Sequence, residues 1–244
     1  MRPLSTADFL NVWEEGWGRR PVEQALALLA AASPGSRRQD LAELTVGQRD
    51  AQLLTLREWT FGPRLLVTAV CPACEERLEL AMNVDDIRVS SGESPAARFT
   101  LSEEDYEIVF RCPNSSDLAF ASHTSDQTRS AARLLDRCLV QVSHRGQPAT
   151  AADLPPSVVA AVASAMEHAD PQAEVQLNLS CAQCSHEWPS IFDITSFFWR
   201  EIDAWGRRVL NDIHTLASGY GWSEVEILAL SPWRRQIYLE MLRQ

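Results

Sequence analysis

The stretch "VTAVCPACEERLEL" at residues 67–80 and the stretch "QLNLSCAQCSHEWPS" at residues 176–190 decide how this chain is read. Each sets a Cys-x-x-Cys knuckle between runs of strand-forming residues, Cys71 with Cys74 in the first and Cys181 with Cys184 in the second. Each then finishes in an apolar Asp-Ile element, "NVDDI" at 83–87 and "IFDI" at 191–194. Two residues between the cysteines let both sulfurs face one ion while the loop N–H groups turn toward them, so each knuckle supplies half a site. Two such hairpins complete a tetrahedral four-thiolate set, the closed arrangement of structural rather than catalytic zinc. The spacing therefore predicts one structural zinc per chain, bound by Cys71, Cys74, Cys181 and Cys184.

The long separation of the two knuckles is compatible with this. Loop-closure entropy rises only logarithmically with length, whereas metal binding adds on the order of 10 kcal/mol to folding. Two reduced dithiols packed in a core are the competing reading, and a matched pair of spacings favours metal over it. A thioredoxin-type redox centre comes third, because it uses one reactive pair at a helix amino terminus. Cys112 and Cys138 have no partner nearby in sequence and are expected to be buried apolar side chains. His186 is a substitute ligand should one cysteine miss the site.

Around the knuckles the chain changes its periodicity. Residues 1–62 read as helical: Ser5 or Thr6 caps a segment carrying Phe9, Trp13 and Trp17, and Pro21 opens "VEQALALLAAAS". Thr45 with Gln48 forms a capping box for a helix that puts Leu53, Leu56 and Trp59 on one face and stops at Gly62 and Pro63. Residues 63–195 are mixed, with strands at "RLLVTAV", "RLELAMNV", "ARFTL", "YEIVFRC" and "EVQLNL" and helices near 126–140 and between Pro156 and Pro171. Residues 196–244 return to helix. Trp199, Ile202, Gly206, Val209, Ile213 and Leu216 draw one stripe over about five turns, and two further helices start at the Ser223–Glu226 capping box and at Ser231–Pro232. The class is α+β, with helical ends around a zinc-pinned centre, as three segments of one compact unit.

Composition narrows the functional classes. The chain of 244 residues has 22 basic and 33 acidic residues, a net charge of −11, and all its basic residues are arginine. That charge is the wrong sign for a protein that grips phosphate backbones, so nucleic acid is an unexpected partner. With no lysine, Schiff-base and Walker-type chemistry are excluded from this chain. The longest apolar run, Ala25 to Ala32, is far short of the roughly 20 residues of a membrane span, and no export leader is evident. A cytoplasmic location without a membrane partner is expected. Neither GxGxxG, P-loop, GxSxG nor HExxH occurs, and the five histidines are scattered, so an enzyme is not expected.

The order "VGQRDAQLLTLREWTFGPRL", "CPAC", "FRCPNSSDLA", "CAQCSHEWPSIFDITSFFWREI" and "IHTLASGYGWSEVEILALSPWRRQIYLEML" resembles the T4-like baseplate hub assembly chaperone family of contractile-tailed phages and contractile injection systems. The resemblance runs from about residue 45 onward. It implies a non-enzymatic chaperone that acts while the baseplate hub or spike is put together, with hub or spike proteins as partners. Tyr220, Trp222, Arg234 and Arg235 match the carboxyl-terminal motif and are candidates for the partner surface, a structural role in the turn being the alternative. Two other functions compete: a permanent structural component of the baseplate, and a zinc-ribbon nucleic-acid binder, whose helix-turn-helix version would use Arg234 and Arg235.

Overall fold

A computed structural model describes residues 1–89, 97–124 and 126–243. The helices and strands follow in chain order: α1 (Thr6–Gly16), α2 (Pro21–Ala32), α3 (Arg38–Ala42), α4 (Val46–Phe61), β1 (Arg64–Val70), β2 (Arg77–Asn83) and α5 (Val84–Ile87). After them come β3 (Phe99–Glu103), β4 (Tyr106–Phe110), α6 (Ser115–Ala121), α7 (Gln127–Cys138), β5 (Leu139–His144), β6 (Gln147–Pro148) and α8 (Pro156–Ala169). The chain closes with β7 (Val175–Ser180), β8 (Glu187–Phe192), α9 (Ile194–Tyr220), α10 (Glu224–Ala229) and α11 (Pro232–Leu242). The class is α+β, as the sequence indicates. Two compact units form, one from residues 1–34 with 195–244 and one from residues 35–194. Helices α3 and α4 thus belong with the strands rather than with the amino-terminal helices.

The discontinuous unit is helical. Ser5 caps α1 in a reciprocal box with Asp8, and Phe9, Leu10, Val12 and Trp13 are buried along one side. Phe9 meets Phe198 and Trp205 of α9 edge-on, with centroids 6.4 and 5.6 Å apart. The Trp13 indole N–H donates to Asp203 Oδ1 at 2.9 Å, which satisfies the polar end of a buried ring. Close approach needs small residues here: a Cβ on Gly16 would lie 2.2 Å from the Trp199 ring. The predicted stripe of Ile202, Val209, Ile213 and Leu216 is buried. Helix α9 is longer than the stripe suggested, at 27 residues, because it starts directly out of β8.

The continuous unit holds three antiparallel sheets: the hairpin β1–β2, the four-stranded sheet β3-β4-β5-β6, and the hairpin β7–β8. In the four-stranded sheet the alternate residues Tyr106, Ile108 and Phe110 of β4 turn inward and pack with Val142 of β5 and with Val158 and Val162 of α8. Helix α4 is capped by Thr45 and Gln48 as predicted, ends at Gly62 with φ +83°, and buries Leu53, Leu54 and Leu56. Trp59, expected on the same face, is 47% exposed. Buried polar groups tie this unit together. Asp117, fully buried, accepts from Arg111 and Arg137, and Asp170 Oδ2 accepts the Gly47 N–H at 2.9 Å. Gln172 donates to the Ile87 carbonyl and accepts from the Val89 N–H, stitching the chain after α5 to the chain before β7.

Candidate metal centre

The two knuckles are built alike, atom for atom of backbone. In the first loop the Cys71 N–H donates to the Glu76 carbonyl at 2.9 Å, and the Glu75 N–H donates back to the Cys71 carbonyl at 2.9 Å. In the second, Cys181 donates to His186 at 2.9 Å and Ser185 to Cys181 at 2.8 Å. Each loop reverses through one left-handed residue that is not glycine, Glu75 at φ +61° and Ser185 at φ +59°. A short-range hairpin flanks each loop, with Val70 opposite Arg77 and Ser180 opposite Glu187. Helix α5 follows the first hairpin and α9 the second, so the "NVDDI" and "IFDI" elements are both strand-to-helix junctions.

These hairpins bring all four predicted cysteines together. Their sulfurs lie within 4.8 Å of one another. The closest pairs cross from one knuckle to the other: Cys71 Sγ to Cys184 Sγ and Cys74 Sγ to Cys181 Sγ, each 3.6 Å. A tetrahedron with metal–sulfur bonds of about 2.3 Å has edges of about 3.8 Å, so these separations fit one ion at the centre. They are far too long for an S–S bond of about 2.05 Å. Cys71 and Cys181 are buried and Cys74 and Cys184 exposed, so each knuckle gives one inner and one outer sulfur. The donor set is all thiolate and soft, with no carboxylate or imidazole in the cluster. His186 instead lies parallel to the Trp188 ring, 5.9 Å between centroids.

The electrostatics of four crowded thiols point the same way. Burial raises Cys71, but the N–H groups of Ala73 and Cys74 and the thiols of Cys74 and Cys184 outweigh it and bring the group down to about 7. Cys74 is lowered by the Glu76 N–H, yet Cys184, burial and the remaining cysteines push it up to about 12. Cys184 is raised as well: the His186 N–H and Cys74 lower it, and burial with Cys71 and Cys181 outweighs them. Cys71 gives up its proton more readily than an ordinary thiol, while burial and the neighbouring thiols oppose ionisation of Cys74 and Cys184. A divalent cation at the centre removes that opposition. Cys112 and Cys138 are buried outside the cluster, and burial raises them to about 11 and about 12. They are apolar core residues, as their isolation in sequence implies.

The carboxyl-terminal candidates are placed differently from one another. Tyr220 stacks on Trp222 at 4.6 Å, Tyr238 meets Trp222 edge-on at 4.9 Å, and the Tyr220 hydroxyl donates to the Tyr238 carbonyl. Arg234 is exposed, and Arg235 is 5% exposed. Among the described residues no helix is long and apolar enough to cross a membrane.

Fold and centre together define an α+β protein whose larger unit brings a pair of cysteine knuckles face to face. The chain belongs to the family described as T4 bacteriophage base plate protein, whose family model matches residues 23–199. That match spans both knuckles and the sheet between them. Neither the curated proteins nor the solved structures give a match to the chain. The family places the protein with the phage-type baseplate, and baseplate proteins are its partners.

Proposed function

We propose that this chain is a non-enzymatic assembly factor for the hub or spike of a phage-type contractile baseplate, with a structural zinc in its four-cysteine centre. The observation that carries the reading is the family match across residues 23–199, which contains the whole four-cysteine centre. Four thiolates close a tetrahedral site and leave no position for substrate or activated water, so the ion holds two hairpins together and does no chemistry. A zinc-pinned scaffold of this kind serves recognition, and the proteins recognised are those of the hub or spike. The acidic net charge supports protein partners over nucleic acid.

The test compares tagged chain in assembly lysates with purified mature particles by quantitative mass spectrometry. An assembly factor co-purifies with a hub or spike protein from the lysate and is depleted from the mature particle. Stoichiometric retention in mature particles overturns the assembly role and makes the chain a permanent baseplate component. Elemental analysis of the same preparation is expected to give one zinc per chain. Iron in its place overturns the zinc assignment and leaves the assembly role to the first test.

A further inference from the structure

The helical unit of residues 1–34 and 195–244 contains a cleft of about 620 Å³ that no functional reading so far uses. Four arginines line it: Arg207 and Arg208 from α9, Arg235 from α11, and Arg243. Among the described residues one acid, Asp212, shares it. Arg207 is neutralised, since its Nε lies 3.1 Å from Asp203 and its guanidinium sits over the Trp17 ring. The remaining three guanidiniums face a single carboxylate. In a chain of net charge −11 this is a local excess of positive charge in a concave place.

Arg235 makes the cleft more than a charged surface. The residue is 5% exposed, and its Nε and Nη1 groups are buried without a hydrogen-bond partner. A buried donor left unpaired costs about 1–3 kcal/mol, more when charged, so this guanidinium is held in place without an acceptor of its own. Burial lowers the Arg235 pKa, with Asp212 opposing. Burial raises the Asp212 carboxyl, against Arg235, Arg243 and Arg208. Asp212 and the three cations therefore share one field.

We propose that this cleft is a binding site for an oxyanion, a carboxylate or phosphate group, with Arg235 as its central donor and Arg208 and Arg243 as flanking cations. Guanidinium groups suit such ligands because planar N–H donors meet oxyanion lone pairs in short, charge-assisted hydrogen bonds. The site stands on the cleft and on the unpartnered arginine, independently of the assembly role. A carboxylate from a protein segment and a free phosphate share this chemistry, and the two sources are separable by experiment.

The test is isothermal titration of the full chain, at low ionic strength, with inorganic phosphate and with the blocked peptide acetyl-Gly-Glu-Gly-amide. Saturable binding of at least one probe is expected, weakened at least tenfold by Arg235→Met and severalfold by Arg243→Gln. Tighter phosphate binding assigns the site to a free anion; tighter peptide binding assigns it to a protein carboxylate. Should Arg235→Met lose its circular dichroism, the exposed Arg208→Gln and Arg243→Gln decide, each still expected to weaken binding severalfold. Absence of saturation by either probe up to about 10 mM, a range where even weak single-anion sites respond, overturns the proposal. So does unchanged affinity in every folded variant.

Discussion

Removing the second knuckle's ligands, Cys181→Ser with Cys184→Ser, tests the pinned core most directly. A metal at this centre closes a loop from Cys71 to Cys184, a separation of 113 residues. The chain-entropy relation for a cross-link of that length gives about 16 cal/mol/K, or about 5 kcal/mol near room temperature. Total stabilities of domains run about 5–15 kcal/mol, so the double variant loses a large share of what keeps the unit of residues 35–194 folded. With a urea slope of about 2 kcal/mol/M, the unfolding midpoint should fall by roughly 2.5 M. A chelator should have the same effect on the wild type and none on the variant. Cys112→Ser, buried outside the cluster, is the control and should keep its metal. The assay is metal per chain by plasma mass spectrometry, paired with urea unfolding. A double variant that holds a full equivalent of metal refutes the ligand assignment, as does equal metal loss from Cys112→Ser.

Three further outcomes follow from the same core. Burial pushes Asp50 up to about 6 despite the Arg49 Nε 2.7 Å away, with Asp193 and Asp170 adding to the rise. Its folded pKa is raised, so its contribution is fully present below about pH 4 and is lost as pH rises through about 6, a span worth about 3 kcal/mol. Relative to Asp50→Asn, the wild type should gain about 2.5 kcal/mol of that between pH 7 and pH 4 in urea titrations, and a pH-independent difference would show the rise to be wrong. Asp117→Ala strips the shared acceptor from Arg111 and Arg137 and the box at the start of α6. It should cost about 3–5 kcal/mol in thermal unfolding, and a loss below 1 kcal/mol contradicts a buried role. Gly47→Ala puts a Cβ 2.1 Å from Asp170 Oδ1 and 2.9 Å from the Ala173 nitrogen, and should cost about 1–3 kcal/mol. A neutral result there would mean that the Asp170 turn yields freely.

The parts of this fold that are legible in the sequence are those with local causes. Capping boxes at Thr45–Gln48 and Ser223–Glu226 are reciprocal bonds within one turn, and both are present. The knuckles are legible for the same reason: a two-residue spacing and a flanking strand pair define each loop without reference to the rest of the chain. Strand β5 was hidden because Leu139–His144 follows α7 with no breaker between them and pairs across the sheet with β4. Helix α3 is five residues long and has no side-chain cap, so no local signal marks it as a separate helix. The segregation of α4 from the amino-terminal helices depends on Asp170 and other groups far along the chain, and no local signal reports it. Arg235 is the clearest case: nothing in "PWRRQ" separates its two arginines, yet one is buried and the other is not.

The discontinuity of the helical unit bears on how the protein is made. Helices α1 and α2 leave the ribosome well before α9, carrying Phe9, Trp13, Leu28 and Leu29, all of which are buried in the folded chain. The rest of their own unit begins only at Thr195, after the whole knuckle-bearing unit has been synthesised. At about 5–20 residues per second, that leaves the aromatic side chains without α9 for on the order of ten to thirty seconds. Through that interval this amphipathic pair of helices carries apolar side chains with nothing of its own unit to cover them, and the covering segment arrives only once residue 194 has been passed.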